Sequence, residues 1–152
     1  MYDATADGVS AVVEAGEAGG AATESEREDI SCADISCADA RMQVRSVLMG
    51  ACGGLSVARA QQLRGDALLV VSELVTNALL HAGAVTGFRA RLAGDELQLR
   101  VSDASREVPK ALAPAPGRQG GYGWTIVQRL CSRVQVDREP GGKTVTAVLA
   151  LA

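Results

Sequence analysis

Apolar and polar positions alternate along the chain with periods that change several times, and those changes divide it into elements. The clearest run is 66–82, DALLVVSELVTNALLHA, where Leu, Val and Ala recur at helical spacing around a polar stripe of Glu73, Asn77 and His81. A helix turns about 100° per residue, so positions i, i+4 and i+8 project from one side. The run opens at Gly65-Asp66, with Asp66 read as a cap or first-turn acid, and Gly83 closes it. Upstream, 38–52 reads as a helix with Met42, Val44, Val47, Leu48 and Cys52 inward and Gly53-Gly54 at its end; 56–64 adds a short helical turn.

Downstream the period shortens to two. Residues 85–93 and 96–103 alternate in part and are joined by Gly94-Asp95, which predicts a hairpin. Residues 104–120, rich in Pro and Gly, form a loop of about seventeen residues, long enough to suggest a functional lid. Residues 122–133 read as a helix with Trp124, Ile126, Val127, Leu130 and Cys131 toward the core. A second hairpin follows, 134–138 and 143–151 around Pro140-Gly141-Gly142. The order is helix, helix, strand, strand, loop, helix, strand, strand. It lacks the βαβ alternation of a doubly wound parallel sheet and predicts an α+β two-layer sandwich: a mixed or antiparallel sheet with helices on one face.

Composition narrows this. Of the 152 residues, 47% are hydrophobic but only 3% aromatic, so the core must be built from Leu, Val and Ala. The length suits one domain, expected over 38–152 and preceded by an acidic, disordered tail over 1–37. The net charge of −3 hides a split: residues 1–40 hold ten acids and one base, net −9, whereas 41–152 hold fourteen bases and eight acids, net +6. A basic body suits an anionic ligand or acidic partner. The bases are scattered without interleaved aromatics, so nucleic acid is not expected as a partner. No apolar run approaches the ~20 residues of a membrane span. Residues 1–10 lack the basic and apolar regions of a secretory signal, which makes the cytoplasm the default location. The four cysteines are expected as free thiols there; Cys32 and Cys37 sit in a tandem ISCAD duplication whose spacing suits zinc poorly.

Four pieces carry candidate chemistry. The Glu73/Asn77/His81 stripe offers a carboxylate, a carboxamide and an imidazole that could hold a metal and move a proton. It could equally be the wet side of an amphipathic helix, although it bears no Lys or Arg and Asn is a weak helix former. Gly120-Gly121-Tyr122-Gly123 precedes a helix, where backbone amides can approach a phosphate. Asp103 ends a strand, where it can accept from an amino group or merely form a turn. Gly141-Gly142-Lys143-Thr144 reads as a hairpin turn entering a strand.

Taken together, ELVTNALLHA, a strand ending in Asp103, a loop, GGYGWTIVQRL and GGKTV resemble the GHKL, or Bergerat-fold, ATP-binding superfamily. Within it the chain looks like the small anti-sigma-factor serine/threonine kinases of bacteria. The resemblance implies that ATP lies between helices and sheet. Glu73 would then be the general base, Asn77 the Mg²⁺ ligand, and Asp103 the acceptor for the adenine amino group. Gly121 and Gly123 would give amides to the phosphates, and Thr144 would help hold adenine. His81 matches the subfamily's motif, Tyr122 lies within the second glycine box, and Ser105, small enough to permit adenine binding, stands at a glycine position; all three are grouped with the nucleotide-binding residues. The implied partners are a sigma factor and a STAS-type anti-sigma factor antagonist, phosphorylated on serine in a partner switch; relatives often form homodimers. The chain departs from the pattern at Asp103-Ala104-Ser105-Arg106-Glu107, where the family's Asp-x-Gly-x-Gly has two glycines, and at Trp124, where a small aliphatic residue is more usual. The departures motivate an alternative: a catalytically weak or inactive module that regulates a protein partner by occupancy.

Overall fold

A computed structural model of the chain describes residues 34–110 and 122–152. The greater part of the tail expected over 1–37, the first ISCAD copy except Asp34, most of the loop expected over 104–120, and Gly121 lie outside the described residues. The elements are α1 (Cys37–Ala51), a 3-10 turn (Cys52–Gly54), α2 (Val57–Ala82), β1 (Val85–Ala93), β2 (Glu96–Asp103), α3 (Gly123–Leu130), β3 (Arg133–Glu139) and β4 (Gly142–Ala150).

A reciprocal capping box starts α1. The Ser36 hydroxyl accepts from the Asp39 amide at 3.1 Å, and the Asp39 carboxylate accepts from the Ser36 amide at 3.3 Å. A hydrogen bond from the Ser36 hydroxyl at 2.6 Å, seconded by the one from the Ser36 amide, holds the Asp39 carboxyl below its ordinary range. Ala40, Val44 and Leu48, at four-residue spacing, are the buried face. Met42, expected inward, is 60% exposed, because it lies about 200° around the helix from both Ala40 and Val44.

The long helix is longer than its sequence suggests. It starts at Val57, not near Asp66; Ser56 is its N-cap, with the hydroxyl accepting from the Arg59 amide at 3.2 Å. The expected turn over 56–64 is its first third, and Gly65 sits exposed inside it. An internal glycine costs about 1 kcal/mol relative to alanine. Burial of Leu63 alone, 1% exposed, contributes roughly 1.5–3 kcal/mol, and the stripe continues through Ala67, Val70, Val71, Leu74, Val75 and Ala78. Tertiary packing therefore carries the helix through Gly65. Arg59 fastens this first segment to the end of β4 by bonds to the Ala150 and Leu151 carbonyls, 2.9 and 3.2 Å. Gly83 ends the helix at φ +81°, its amide on the Leu79 carbonyl.

The sheet has the order β1-β2-β4-β3 and every pairing is antiparallel. Its registers define rows of side chains across the four strands. Phe88, Val101, Val145 and Val136 form one row, and Ala90, Leu99, Ala147 and Val134 the next. These rows meet α1, α2 and α3 in a single apolar core. The opposite face carries the row Arg89, Arg100, Thr146, Gln135. The architecture is the two-layer α+β sandwich expected, with the sheet wholly antiparallel. Among the described residues no helix is long and apolar enough to cross a membrane.

Candidate functional site

At one end of the sheet the helical layer and the strands part to leave a cleft of about 630 Å³. Its helical wall is the C-terminal half of α2, from which Glu73, Thr76, Asn77, Leu80 and His81 face the space. The sequence left open whether this stripe was a wall or a wet surface; it lines a concave site. Glu73 and Asn77 are half-buried, and Thr76 and His81 exposed.

Across from Glu73 stands the start of α3. Gly123 lies so close that a Cβ there would collide with the Glu73 carboxylate. A side chain at 123 would therefore push the Glu73 carboxylate, the movable end of its side chain, out of this position, and the carboxylate gains there from the positive end of the helix. The segment following β2 supplies a second side of the cleft through Glu107, Val108, Pro109 and Lys110. Trp124, 6% exposed, reaches both core and cleft, and Arg138 of β3 stands at the sheet end of the space.

The sheet floor is where the structure departs from the sequence-based assignment. The register aligns Asp103 with Lys143, and Lys143 with Arg138. This row has the inward parity of Val101–Val145–Val136, two residues away. Lys143 Nζ donates to both Asp103 carboxylate oxygens, each at 2.9 Å, and to the Ser105 carbonyl at 3.3 Å. Asp103 Oδ1 also accepts from the Ser105 amide at 2.8 Å. Lys143 borders the cleft, and Asp103 lies behind it.

Thr144 has the opposite parity. It is buried on the far face of the sheet, 2.7 Å from the hydroxyl of its strand neighbour Ser102. Thus the structure brings Glu73, Asn77, His81 and Gly123 around one space, sets Asp103 and Ser105 beneath Lys143, and places Thr144 outside it. Tyr122, 37% exposed, precedes α3 without lining the cleft, and its carbonyl accepts the Ile126 amide. Gly121 lies outside the described residues. Sequence reasoning missed Lys110, Arg138 and Lys143. For Lys143 a signal existed: counting back in twos along β4 from Leu149, Ala147 and Val145 reaches Lys143 and passes over Thr144.

The donor set fits the polyphosphate part of a nucleotide better than its base. Glu73 and Asn77 provide oxygen donors one helical turn apart, and Lys110 and Arg138 provide positive charge. Among the described residues no group of three His, Cys, Asp or Glu side chains could hold a metal unaided. A Mg²⁺ here would therefore depend on phosphate oxygens and water, as that ion commonly does. No curated protein significantly matches the chain. Residues 33–149 match the family model described as a histidine kinase-like ATPase domain. That match spans most of the sequence and all the elements around the cleft, and the chain belongs to this family of ATP-binding domains.

Proposed function

We propose that the chain is an ATP-dependent serine/threonine protein kinase and anti-sigma factor, which sequesters a sigma factor and phosphorylates a serine of an anti-sigma factor antagonist. The observation that carries this reading is the approach of Glu73 to Gly123 with Asn77 one turn further along α2. Phosphoryl transfer asks little covalent work of a protein; it needs positioning and charge neutralisation. Glu73 would orient and deprotonate an incoming hydroxyl. Asn77 is the residue that would hold Mg²⁺, which when bound would neutralise phosphate charge. The Gly123 backbone permits close approach of a phosphate at the start of α3. Lys110 and Arg138 add charge at the rim, and Trp124 and Pro109 give the cleft apolar walls.

A second reading, a module that regulates its partner by occupancy with little or no catalysis, is favoured by one observation. The carboxylate expected to receive adenine is already engaged by Lys143. The two readings separate in a transfer assay with Mg-ATP and the cognate antagonist. The kinase reading expects phosphoserine on the antagonist, with a loss of at least about 10²-fold in Glu73→Ala and a comparable loss in Asn77→Ala. Undiminished transfer in both variants would refute the assigned roles. Sigma-factor release without any transfer would establish the occupancy reading.

A further inference from the structure

The pairing of Asp103 with Lys143 is more than a local ion pair, because of where it stands. Both side chains are 4% exposed. An ammonium has three donor positions, and Nζ has three acceptors: the two Asp103 oxygens and the Ser105 carbonyl. Asp103 in turn receives the lysine on both oxygens and the Ser105 amide on one. The backbone beneath is equally tight. Gly142 abuts the Asp103 carbonyl so closely that a Cβ would collide with it, which ties the residue before Lys143 to the β2 end. Ser105 stands where a glycine is expected, and its carbonyl closes the third side of the ammonium. The ammonium thus has all three donor positions used and the pair is buried, with the lysine between the carboxylate and the cleft.

A neutral amino group entering from the cleft would meet the lysine before it met Asp103. To reach the carboxylate it would have to displace a charged donor by a neutral one, a weaker hydrogen bond, and strand an ammonium in a buried place. We propose that Lys143 closes the base-reading end of the cleft, so that this chain holds nucleoside triphosphates through their phosphates and does not discriminate among bases. The proposal rests on the nucleotide reading of the cleft given above and sharpens it: Lys143 is the residue that determines specificity.

The test is equilibrium binding of Mg-ATP, Mg-GTP and Mg-tripolyphosphate to the full chain and to Lys143→Thr, with folding of each checked by thermal melting. Threonine suits a strand and is too short to span to Asp103. In the wild type, ATP and GTP are expected to bind within about 3-fold of one another, with tripolyphosphate competing. A hydrogen bond to a charged group is worth about 1.5–3 kcal/mol, so freeing the carboxylate should give Lys143→Thr a roughly 10- to 100-fold preference for ATP over GTP. A wild type that already prefers ATP by more than about 10-fold overturns the proposal and leaves the nucleotide reading standing. A folded Lys143→Thr with no gain in preference also overturns it. If neither protein binds any of the three probes, the nucleotide reading falls and the proposal with it. Should Lys143→Thr fail to fold, the wild-type ratio decides alone.

Discussion

Replacing Lys143 with methionine tests the same ion pair through stability. Methionine keeps most of the stem and removes the ammonium. Asp103 would then be a carboxylate at 4% exposure that keeps, among the described residues, the Ser105 amide as a close donor. Breaking a buried pair by removing one partner costs about 3–5 kcal/mol, because the other charge is left uncompensated. The retained amide bond argues for the lower half of that range. Native domains are stable by about 5–15 kcal/mol, so the loss is a large share of the total, and for a domain of this size it corresponds to a fall in Tm of roughly 10 °C or more. The double variant Asp103→Asn/Lys143→Met removes both charges while keeping volume. It should come back to within about 1–2 kcal/mol of the wild type. The cycle of wild type, the two single variants and the double variant, measured by urea unfolding, should give a coupling energy of at least about 2 kcal/mol. A Lys143→Met penalty under about 1 kcal/mol, or additive single variants, would refute the coupled buried pair and with it the inference that Asp103 is withheld from ligands.

Two further expectations concern the fold. Gly65→Ala, at an exposed helical position where a Cβ meets nothing within 4 Å, should stabilise the protein by about 0.5–1 kcal/mol; a drop in Tm would refute a helix continuous through that residue. Burial, with a smaller contribution from Asp66, pushes the Cys131 thiol up to about 12. The native state therefore resists ionisation of this thiol, and the stability it contributes is complete below the unfolded pKa near 8.5 and declines as pH rises toward 12. Cys131→Ala should flatten that decline in a pH series of unfolding curves, and iodoacetamide at pH 8 should leave Cys131 unmodified until the chain unfolds. An unchanged slope, or rapid native labelling, would contradict its placement.

What the sequence disclosed and what it withheld follow from the range of the forces involved. Local signals were dependable. Gly83 adopts the positive φ its position required, Gly94-Asp95 turns the first hairpin, and the α+β order gives the two-layer sandwich. Errors arose where packing outweighed a local preference. Gly65 looked like a boundary, but the apolar stripe from Leu63 to Ala78 runs through it. Met42 looked like core because it is apolar, although its angle on α1 turns it away from Ala40, Val44 and Leu48. The meeting of Glu73 with Gly123 joins residues fifty positions apart, and no periodicity reports such a contact. Motif resemblance brought the two distant segments under one expected site without foretelling that contact. Lys143 was missed for a different reason. Resemblance directed attention to Thr144, whereas the parity of β4 puts its neighbour on the inner face.

That parity bears on how the two functional readings relate. The cleft has two ends of unlike chemistry. The helical end keeps a carboxylate, a carboxamide and a glycine contact, the groups to which the proposed function gives the phosphates. At the strand end, a lysine satisfies from within the carboxylate that a base would satisfy from without. A nucleotide held at the first end alone relies on charge, and rim charges such as Lys110 and Arg138 are screened by salt with a range of about 8 Å at physiological ionic strength. Its affinity would then fall as salt rises, and ATP would share the site with other polyanions. On the proposed kinase reading such a protein could still transfer a phosphoryl group, because Glu73 would act on the hydroxyl and not on the base. Kinase activity and weak base recognition are therefore compatible, and the Asp103–Lys143 pair argues against tight, adenine-specific binding without arguing against catalysis.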